Sequence, residues 1–334
     1  TEYDMEQYNM ELGDINKVIQ YGKVRDYWDL GFNYMVFSHS DRQSAFDRHL
    51  CNIPGKGTLL NKINNWWMNQ TRHIIDDRPD IEIVKINATG DIDTNMHLLK
   101  YDSVHGRWKG ELDCEWSHSR DIDQLDWEDC DVVMECTGAY NDGAKAKSHI
   151  KNGAKKVVIS APAKNVDRTV VYGVNHLDIE RLDDIISSAS CTTNCLAPIV
   201  KVLDDNLQIQ NGQMTTIHSY TGDQGTVDRR HKDLYRARAG AMSMIPTSTG
   251  ATKSLGEVLP HMQGKIKGSA IRVPTPNVSA VDLTVNVKHS TSAEQVNEIV
   301  SHSAKNGMAG IIKFSVERLV SVDFNHTEQS CIFA

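Results

Sequence analysis

The sequence predicts an α/β fold in which a parallel sheet precedes a second domain with a mixed or antiparallel sheet. Residues 131–138 and 155–160 are apolar strand candidates, and residues 139–152 between them are compatible with a helix. This order gives parallel strands joined by a crossover helix. Further along, residues 281–287 alternate apolar and polar side chains, which is typical of a half-exposed strand in an antiparallel or mixed sheet.

The chain is predicted to divide into three units. Residues 1–78 are rich in aromatic and Asn side chains, whereas residues 80–86 alternate apolar and polar side chains as a strand does. The change of pattern falls in a charged stretch at 76–79. We therefore predict a small α+β fragment at 1–78, a parallel-sheet domain at 79–190 and a domain with the second kind of sheet at 191–334.

Local signals mark the remaining elements. The helix candidate at 139–152 is closed by Gly153, a residue that suits a helix end. A strand candidate at 185–186 leads to a helix-compatible segment that runs to Leu203. Residues 215–218 form another half-exposed strand candidate, and a long loop follows it.

Composition excludes several classes of protein. The chain has 334 residues, with 36 Lys and Arg against 44 Asp and Glu, so its net charge is −8. A general nucleic-acid binder needs clustered positive charge, and this class is disfavoured. No apolar run reaches the roughly 20 residues needed to cross a bilayer, and residues 1–4 show no leader pattern. We expect a cytoplasmic protein with no membrane or nucleic-acid partner.

The seven cysteines are an odd number and are spread along the chain, unlike a disulfide framework. Cys191 and Cys195 are four residues apart, but no second pair follows at zinc-ligand spacing, so we predict no metal site. Cys195 is predicted to pack as a small apolar side chain.

Cys191 is the candidate nucleophile. It lies where the strand candidate at 185–186 gives way to a helix. A thiol in the first turn of a helix meets unpaired backbone N–H groups and the positive end of the helix dipole, which favour the thiolate. When Cys191 is considered alone, the alternative to a nucleophile is a buried cysteine with a structural role.

His218 is the candidate base. It ends the strand candidate at 214–218, and a histidine at a strand end can reach a thiol at a helix start in three dimensions. Such a pair activates sulfur near neutral pH. Because the chain has 14 histidines, the pairing needs further support.

Polar elements downstream suit a phosphate ester. Residues 220–224 directly follow the strand that ends at the candidate base, and residues 245–251 form a hydroxyl- and glycine-rich turn. Arg272 and Arg236 offer cations. Hydroxyls, turn N–H groups and guanidinium groups are what a phosphate needs. Taken singly, each element has an alternative as a helix cap or a solvated arginine.

Several motifs together resemble one family. They are Ser-Cys-Thr-Thr-Asn-Cys at 190–195, Thr-Ile-His-Ser-Tyr-Thr at 216–221, Pro-Thr-Ser-Thr-Gly-Ala at 246–251 and Arg-Val-Pro-Thr-Pro-Asn-Val-Ser at 272–279. In this order they are similar to phosphorylating glyceraldehyde-3-phosphate dehydrogenase, and the resemblance covers about 80–334. It implies an incomplete Rossmann-type parallel sheet followed by an α+β catalytic domain with a mixed or antiparallel sheet.

The resemblance also implies a reaction and a set of site residues. Cys191 attacks the aldehyde of a phosphorylated substrate, His218 takes the proton, a hydride passes to NAD, and inorganic phosphate cleaves the thioester. The residues implied to hold the substrate phosphate are Thr221, Arg236 and Arg272. Those implied to face the incoming phosphate are Ser190, Thr192, Thr249 and Gly250. Those implied to lie along the dinucleotide are Asn87, Thr137 and Gly138.

The chain departs from that family in three respects. No G-x-G-x-x-G turn, which would bind the pyrophosphate, precedes residue 80. Ala88 stands where an acidic residue usually accepts the ribose hydroxyls, so NADP is allowed beside NAD. We also expect the chain to stop before the family's last strands and closing helix. The resemblance therefore implies an impaired dehydrogenase, assembled as a homotetramer.

Residues 1–78 resemble a different enzyme. Residues 21–26, 40–47 and 53–61 are similar to the opening of phosphoribosylaminoimidazole-succinocarboxamide synthase, an ATP-dependent ligase of purine synthesis. Only that opening is present. The alternatives to the leading interpretation are thus an erythrose-4-phosphate dehydrogenase, the ATP-dependent ligase activity and an inactive chimeric chain.

Overall fold

The computed structural model describes residues 81–108, 110 and 112–334, together with the backbone of four short strands nearer the start of the chain. These strands form two antiparallel pairs, β1 (Ile19–Tyr21) with β2 (Asp26–Trp28) and β3 (Ala45–Phe46) with β4 (Leu50–Cys51). The other predictions for residues 1–78 lie outside the described residues.

The first part of the described chain contains a parallel sheet, as predicted. Its helices are α1 (Ile92–Lys100) and α2 (Gly143–Lys151). Its strands are β5 (Lys85–Asn87), β6 (Tyr101–Asp102), β7 (Gly106–Arg107), β8 (Glu115–Ser117), β9 (Val132–Glu135), β10 (Lys156–Ile159), β11 (Arg168–Thr169) and β12 (Ile185–Ser187). Strands β11, β12, β10 and β9 lie side by side in that order and are all parallel. Strands β5 and β8 form a separate parallel pair.

Local chemistry explains how α2 is delimited. Asp142 caps its start by accepting a hydrogen bond from Ala144 N at 3.1 Å, so the helix begins at 143 and not at 139 as predicted. Gly153 follows its end with φ +113°, a left-handed value that is inexpensive only for glycine. The helix therefore connects β9 and β10 as the crossover of a parallel pair.

The second part of the described chain contains a mixed sheet. Its helices are α3 (Cys191–Leu207), α4 (Ala251–Val258) and α5 (Ala293–Lys305). Its strands are β13 (Ile209–Ser219), β14 (Ile245–Thr247), β15 (Ile266–Val273), β16 (Ala280–Val287), β17 (Ile312–Phe314) and β18 (Cys331–Phe333). In the order β14-β15-β13-β16, β13 is parallel to β15 and antiparallel to β16. Short 3-10 helices occur at Ile122–Gln124, His176–Asp178, Pro260–Met262 and Ser321–Phe324.

The largest core surrounds α3. Leu196, Val200 and Leu203 of this helix pack in one cluster with Met214 of β13 and Leu255 of α4. All five side chains are buried. Close packing of this kind resists displacement of whole elements. The first turn of α3 is therefore held in a defined position beside the end of β13.

Candidate active site

Cys191 occupies the first position of α3. Ser190 caps the helix, since its Oγ accepts a hydrogen bond from Thr193 N at 3.1 Å. Cys191 Sγ consequently lies at the positive dipole end of a helix of 17 residues. This environment stabilises a thiolate.

The thiol contacts the histidine that the sequence singled out. Cys191 Sγ lies 3.2 Å from Nε2 of His218, near the end of β13. The imidazole is 4% exposed, so water has little access to it. At this separation a proton can pass directly between sulfur and nitrogen.

A backbone carbonyl sets the protonation of the neutral imidazole. His218 Nδ1 lies 2.7 Å from Ser219 O, and a carbonyl oxygen can only accept, so Nδ1 carries the hydrogen. Nε2 then presents its lone pair to the thiol. Ser219 O also accepts a hydrogen bond from Nη1 of Arg272 at 3.2 Å. This one carbonyl thus orients both the base and a neighbouring cation.

Arg272 is a half-buried cation close to the thiol. Burial lowers the pKa of its guanidinium; the charge of Cys191 opposes this, and the positive charge of Arg236 adds to it. A half-buried guanidinium offers directed N–H donors to an anion. The arrangement suits an anionic group bound beside the reacting sulfur.

Arg236 is held by two acceptors. Its Nη1 donates to Asp223 Oδ2 at 2.8 Å, and its Nε and Nη2 donate to Thr247 Oγ1 at 2.9 and 2.7 Å. Burial raises the pKa of Asp223, but hydrogen bonds from Arg236 and His231 outweigh it and leave this pKa below its usual value. Sequence analysis placed Asp223 and Thr247 in segments suited to a phosphate ester but did not identify either as a partner of Arg236. The available signal was the position of Asp223 in the turn that follows the candidate base.

Thr221 has a buried hydroxyl that is ready for a ligand. The residue is 1% exposed, and its Oγ1 makes no hydrogen bond to any of the residues that the structure describes. Its backbone N donates to Gln224 Oε1 at 3.3 Å, which holds the turn in place. A buried hydroxyl left without a partner costs about 1–3 kcal/mol, and a bound oxygen anion would recover that energy.

The residues implied to face inorganic phosphate lie at two helix starts. Ser190 Oγ contacts Thr193 Oγ1 at 2.7 Å, and Thr192 Oγ1 lies 3.9 Å from Cys191 Sγ. Thr249 Oγ1 accepts from Ala251 N at 3.2 Å at the start of α4. The remaining residue of the set, at position 250, is the N-cap glycine of α4, and no heavy atom lies within 4 Å of where a Cβ would be placed.

The residues implied to lie along a dinucleotide are the last residue of β5 and the turn that follows β9. Thr137 and Gly138 form an exposed turn after β9, in which Gly138 has φ +76°. Thr137 N donates to Glu135 Oε1 at 2.7 Å. The side chain of Asn87 is already engaged, because its Oδ1 accepts from Ser117 Oγ at 2.9 Å and its amide also bonds the backbone of residue 119.

A buried network below that turn was missed by sequence analysis. Glu135 Oε2 lies 3.0 Å from His149 Nε2, and His149 Nδ1 accepts from Trp127 Nε1 at 2.9 Å. Because Glu135 also accepts from Thr137, the network positions the backbone of the turn. The signal for it was a glutamate inside an otherwise apolar strand.

A cluster of metal ligands and a membrane-spanning helix are both absent from residues 81–108, 110 and 112–334. No three His, Cys, Asp or Glu side chains are grouped there so as to hold a metal ion. In the same part of the chain, no helix has both the length and the apolar character required to cross a membrane.

Three family models match this chain. Residues 190–334 match the glyceraldehyde 3-phosphate dehydrogenase C-terminal domain, and residues 68–143 match the NAD binding domain of the same enzyme. Residues 18–90 match SAICAR synthetase, so the two kinds of match overlap over residues 68–90. These matches confirm both resemblances predicted from the sequence.

Whole-chain comparisons agree. The chain is 49% identical over 278 residues to glyceraldehyde-3-phosphate dehydrogenase of Cereibacter sphaeroides, covering 79% of this chain and 84% of that protein. It is 49% identical over 280 residues to the enzyme of the same name from Xanthobacter flavus, with the same coverage. It is 49% identical over 275 residues to glyceraldehyde-3-phosphate dehydrogenase 2 of Bacillus subtilis (strain 168), covering 78% of this chain and 80% of that protein.

Proposed function

Because this chain belongs to the glyceraldehyde-3-phosphate dehydrogenase family, we propose that it oxidises glyceraldehyde 3-phosphate to an acyl phosphate through a thioester on Cys191. The single observation that carries the proposal is the 3.2 Å contact between Cys191 Sγ and His218 Nε2 at a helix start. A thiol so placed is an activated nucleophile.

In the first step, His218 Nε2 takes the thiol proton and the sulfur of Cys191 adds to the aldehyde carbon. The carbon–sulfur bond forms as the carbonyl π electrons move to oxygen. The protonated imidazole then lies close to that oxygen and stabilises its negative charge. The Nδ1 hydrogen bond to Ser219 O keeps the ring oriented while Nε2 gains and returns the proton.

Arg272, Arg236 and Thr221 are proposed to bind the phosphate that the substrate carries. Arg272 lies half-buried near the thiol, Arg236 is fixed by Asp223, and Thr221 offers an unused hydroxyl. Binding energy from this distant group orients the aldehyde toward sulfur.

A second anion site is proposed for the attacking inorganic phosphate. Its residues are Ser190, Thr192, Thr249 and Gly250. The backbone N–H groups at the starts of α3 and α4 suit an anion. Phosphate oxygen attacks the thioester carbon, the carbon–sulfur bond breaks, and its electron pair returns to Cys191 as thiolate.

The exposed turn of Thr137 and Gly138 fits a dinucleotide, since a glycine backbone at the carboxyl end of a parallel strand permits close approach. When bound, NAD supplies the hydride acceptor. Position 88 holds alanine and no carboxylate, and no G-x-G-x-x-G turn precedes it. We therefore propose weakened dinucleotide binding with little discrimination between NAD and NADP, and hence impaired turnover.

The thiol chemistry can be tested separately from dinucleotide binding. By microscopic reversibility, an acyl phosphate such as acetyl phosphate should acylate Cys191 without any cofactor. Mass spectrometry of the full chain should show one acetyl group, which is absent in Cys191→Ser and slower to form in His218→Asn. Absence of acylation in a folded chain would contradict the proposed thioester.

Turnover is then measured by nicotinamide absorbance with each combination of aldehyde and cofactor. Glyceraldehyde 3-phosphate is compared with erythrose 4-phosphate, and NAD with NADP. Acylation without turnover would locate the impairment in the cofactor site, and an ATP titration of the same chain tests the alternative suggested by the SAICAR synthetase match. Turnover only with the tetrose phosphate would contradict the proposed substrate.

We also propose that the chain works in the cytoplasm as a homotetramer, as the family resemblance implies. Light scattering coupled to gel filtration should give a mass of about four chains. A monomeric mass at micromolar concentration would contradict the assembly. Fractionation of the producing cell would test the location.

A further inference from the structure

Three cysteines line one cavity beside the helix that carries the nucleophile. The cavity has a volume of about 930 Å³, and its walls include Cys191, Cys195 and Cys331. Cys195 follows Cys191 by one helical turn on α3, and Cys331 is the first residue of β18. Cys195 Sγ and Cys331 Sγ lie 3.8 Å apart, within hydrogen-bond distance for two thiols.

The surrounding core holds these two sulfur atoms against each other. Cys331 is 5% exposed, and its backbone N donates to Ile311 O at 3.1 Å beside the parallel β17–β18 pair. Cys195 packs against the same core cluster that contains Leu196 and Val200 of α3. The contact therefore joins two elements whose positions are both determined by packing.

We propose that Cys195 and Cys331 form a reversible disulfide when the chain meets a peroxide. A disulfide requires an S–S distance of about 2.05 Å, so the two sulfur atoms must approach by nearly 2 Å. Closing that gap requires rotation about the Cα–Cβ bonds of the two residues. The proposal does not depend on the dehydrogenase activity proposed above.

The chemistry balances with hydrogen peroxide as the oxidant. The Cys195 thiolate attacks one peroxide oxygen, the O–O bond breaks, and the hydroxide that leaves takes up a proton to become water. The Cys331 sulfur then attacks the sulfenic sulfur of Cys195, the S–O bond breaks, and a second water leaves. The two thiols lose two electrons, which reduce the peroxide, and their two protons end in water.

The order of attack follows from the contact between the two thiols. The hydrogen bond with Cys331 lowers the pKa of Cys195, although burial raises it. The same contact raises the pKa of Cys331, and burial adds to that effect. Cys195 is also the more exposed of the two thiols, so it meets the oxidant, and the buried Cys331 resolves the intermediate.

The structure also indicates a consequence of oxidation. Residues 195 and 331 are 136 apart in sequence, so the bond would close a long loop and tie β18 to α3. Constraining such a loop stabilises the folded chain relative to the unfolded one. The oxidised chain should consequently unfold at a higher urea concentration than the reduced chain, and a thiol reductant should reverse that shift.

The test uses the full chain carrying Cys191→Ser, which removes the competing thiol. After treatment with hydrogen peroxide and blocking of free thiols, trypsin should release fragments 182–201 and 319–334 as one disulfide-linked species. Reduction with dithiothreitol should separate them. Cys136→Ser, a matched variant of another buried cysteine in the same core cluster, should form the same link.

Cys331→Ser and Cys331→Ala should abolish the linked species and the shift in urea midpoint. Circular dichroism of the reduced proteins identifies whichever of the two variants folds, and that variant is used. The proposal is overturned if both fragments stay separate and alkylated in the Cys191→Ser chain. It is also overturned if, with Cys191 present, peroxide links Cys191 to Cys195 and leaves Cys331 free.

Discussion

The alkylation rate of Cys191 in His218→Asn is the measurement that probes the thiol most directly. Asparagine can still donate a hydrogen bond but cannot accept the thiol proton. At a separation of 3.2 Å and an effective dielectric constant of about 20, a thiolate–imidazolium pair gains about 5 kcal/mol of Coulomb energy. Desolvation of the imidazolium offsets part of this gain, so the figure is an upper limit.

The effect on rate is bounded by the ionisation of an unassisted thiol. A cysteine with the ordinary pKa of about 8.5 is about 3% thiolate at pH 7 and about 0.1% at pH 5.5. Removal of the base should therefore slow alkylation by up to about 30-fold at pH 7 and up to about 1000-fold at pH 5.5. Above about pH 8.5 the rates of the two proteins should converge, because either thiol is then largely ionised.

The assay follows iodoacetamide modification of the tryptic fragment 182–201 by mass spectrometry between pH 5.5 and 9. Fragment-ion spectra distinguish Cys191 from Cys195. Cys114 is an internal reference, since burial, with the charge of Asp113, raises its pKa to about 11 and it should react equally slowly in both proteins. A ratio of Cys191 rates that stays constant across this pH range would refute the paired thiol and base.

Three further predictions concern binding and stability. Arg272→Lys keeps the positive charge but loses the planar donor fork, so KM for the aldehyde phosphate should rise about tenfold or more with a smaller change in kcat; an unchanged KM would argue against the phosphate site. Burial lowers the pKa of His176 from 6.5 to about 4, so the unfolded chain takes up this proton first as pH falls. The stability that depends on neutral His176 should thus be complete above pH 6.5 and decrease by up to about 3 kcal/mol toward pH 4, and His176→Gln should flatten that slope in urea titrations. Equal slopes of unfolding free energy against pH in the two proteins would contradict this prediction. Asp142→Ala removes the cap of α2 and should lower the unfolding free energy by about 1 kcal/mol. The alkylation rate of Cys191 should stay unchanged, which would show that the effect of the substitution is confined to α2.

The local sequence pattern predicted the types of these elements more accurately than their lengths. The alternating run at 281–287 became β16 (Ala280–Val287), whose residues alternate between exposed and half-buried positions. The strand predicted at 80–86 is shortened to β5 (Lys85–Asn87), because its partner β8 offers only three residues for pairing. Strand length depends on a neighbour that is distant in sequence, and local periodicity does not report it.

The site residues likewise include some that the local sequence identifies and some that it does not. Cys191 and His218 were identifiable because a helix start and a strand end give each side chain a recognisable chemical setting. Asp223 and Thr247 were not identified as partners of Arg236, since that role arises only where two separate segments bring acceptors to its guanidinium. The buried pair of Glu135 and His149 likewise joins a strand to a helix.

The sequence by itself determined the helix start that carries Cys191 and the strand end that carries His218, because periodicity, caps and turn residues act over a few neighbouring positions. The tertiary structure alone decided which of these groups meet. Cys191 contacts a histidine 27 residues away, and Cys195 contacts a thiol 136 residues away. Such contacts exist because the core around α3 buries its apolar face against β13, α4 and the C-terminal strand, and that packing places the sulfur atoms.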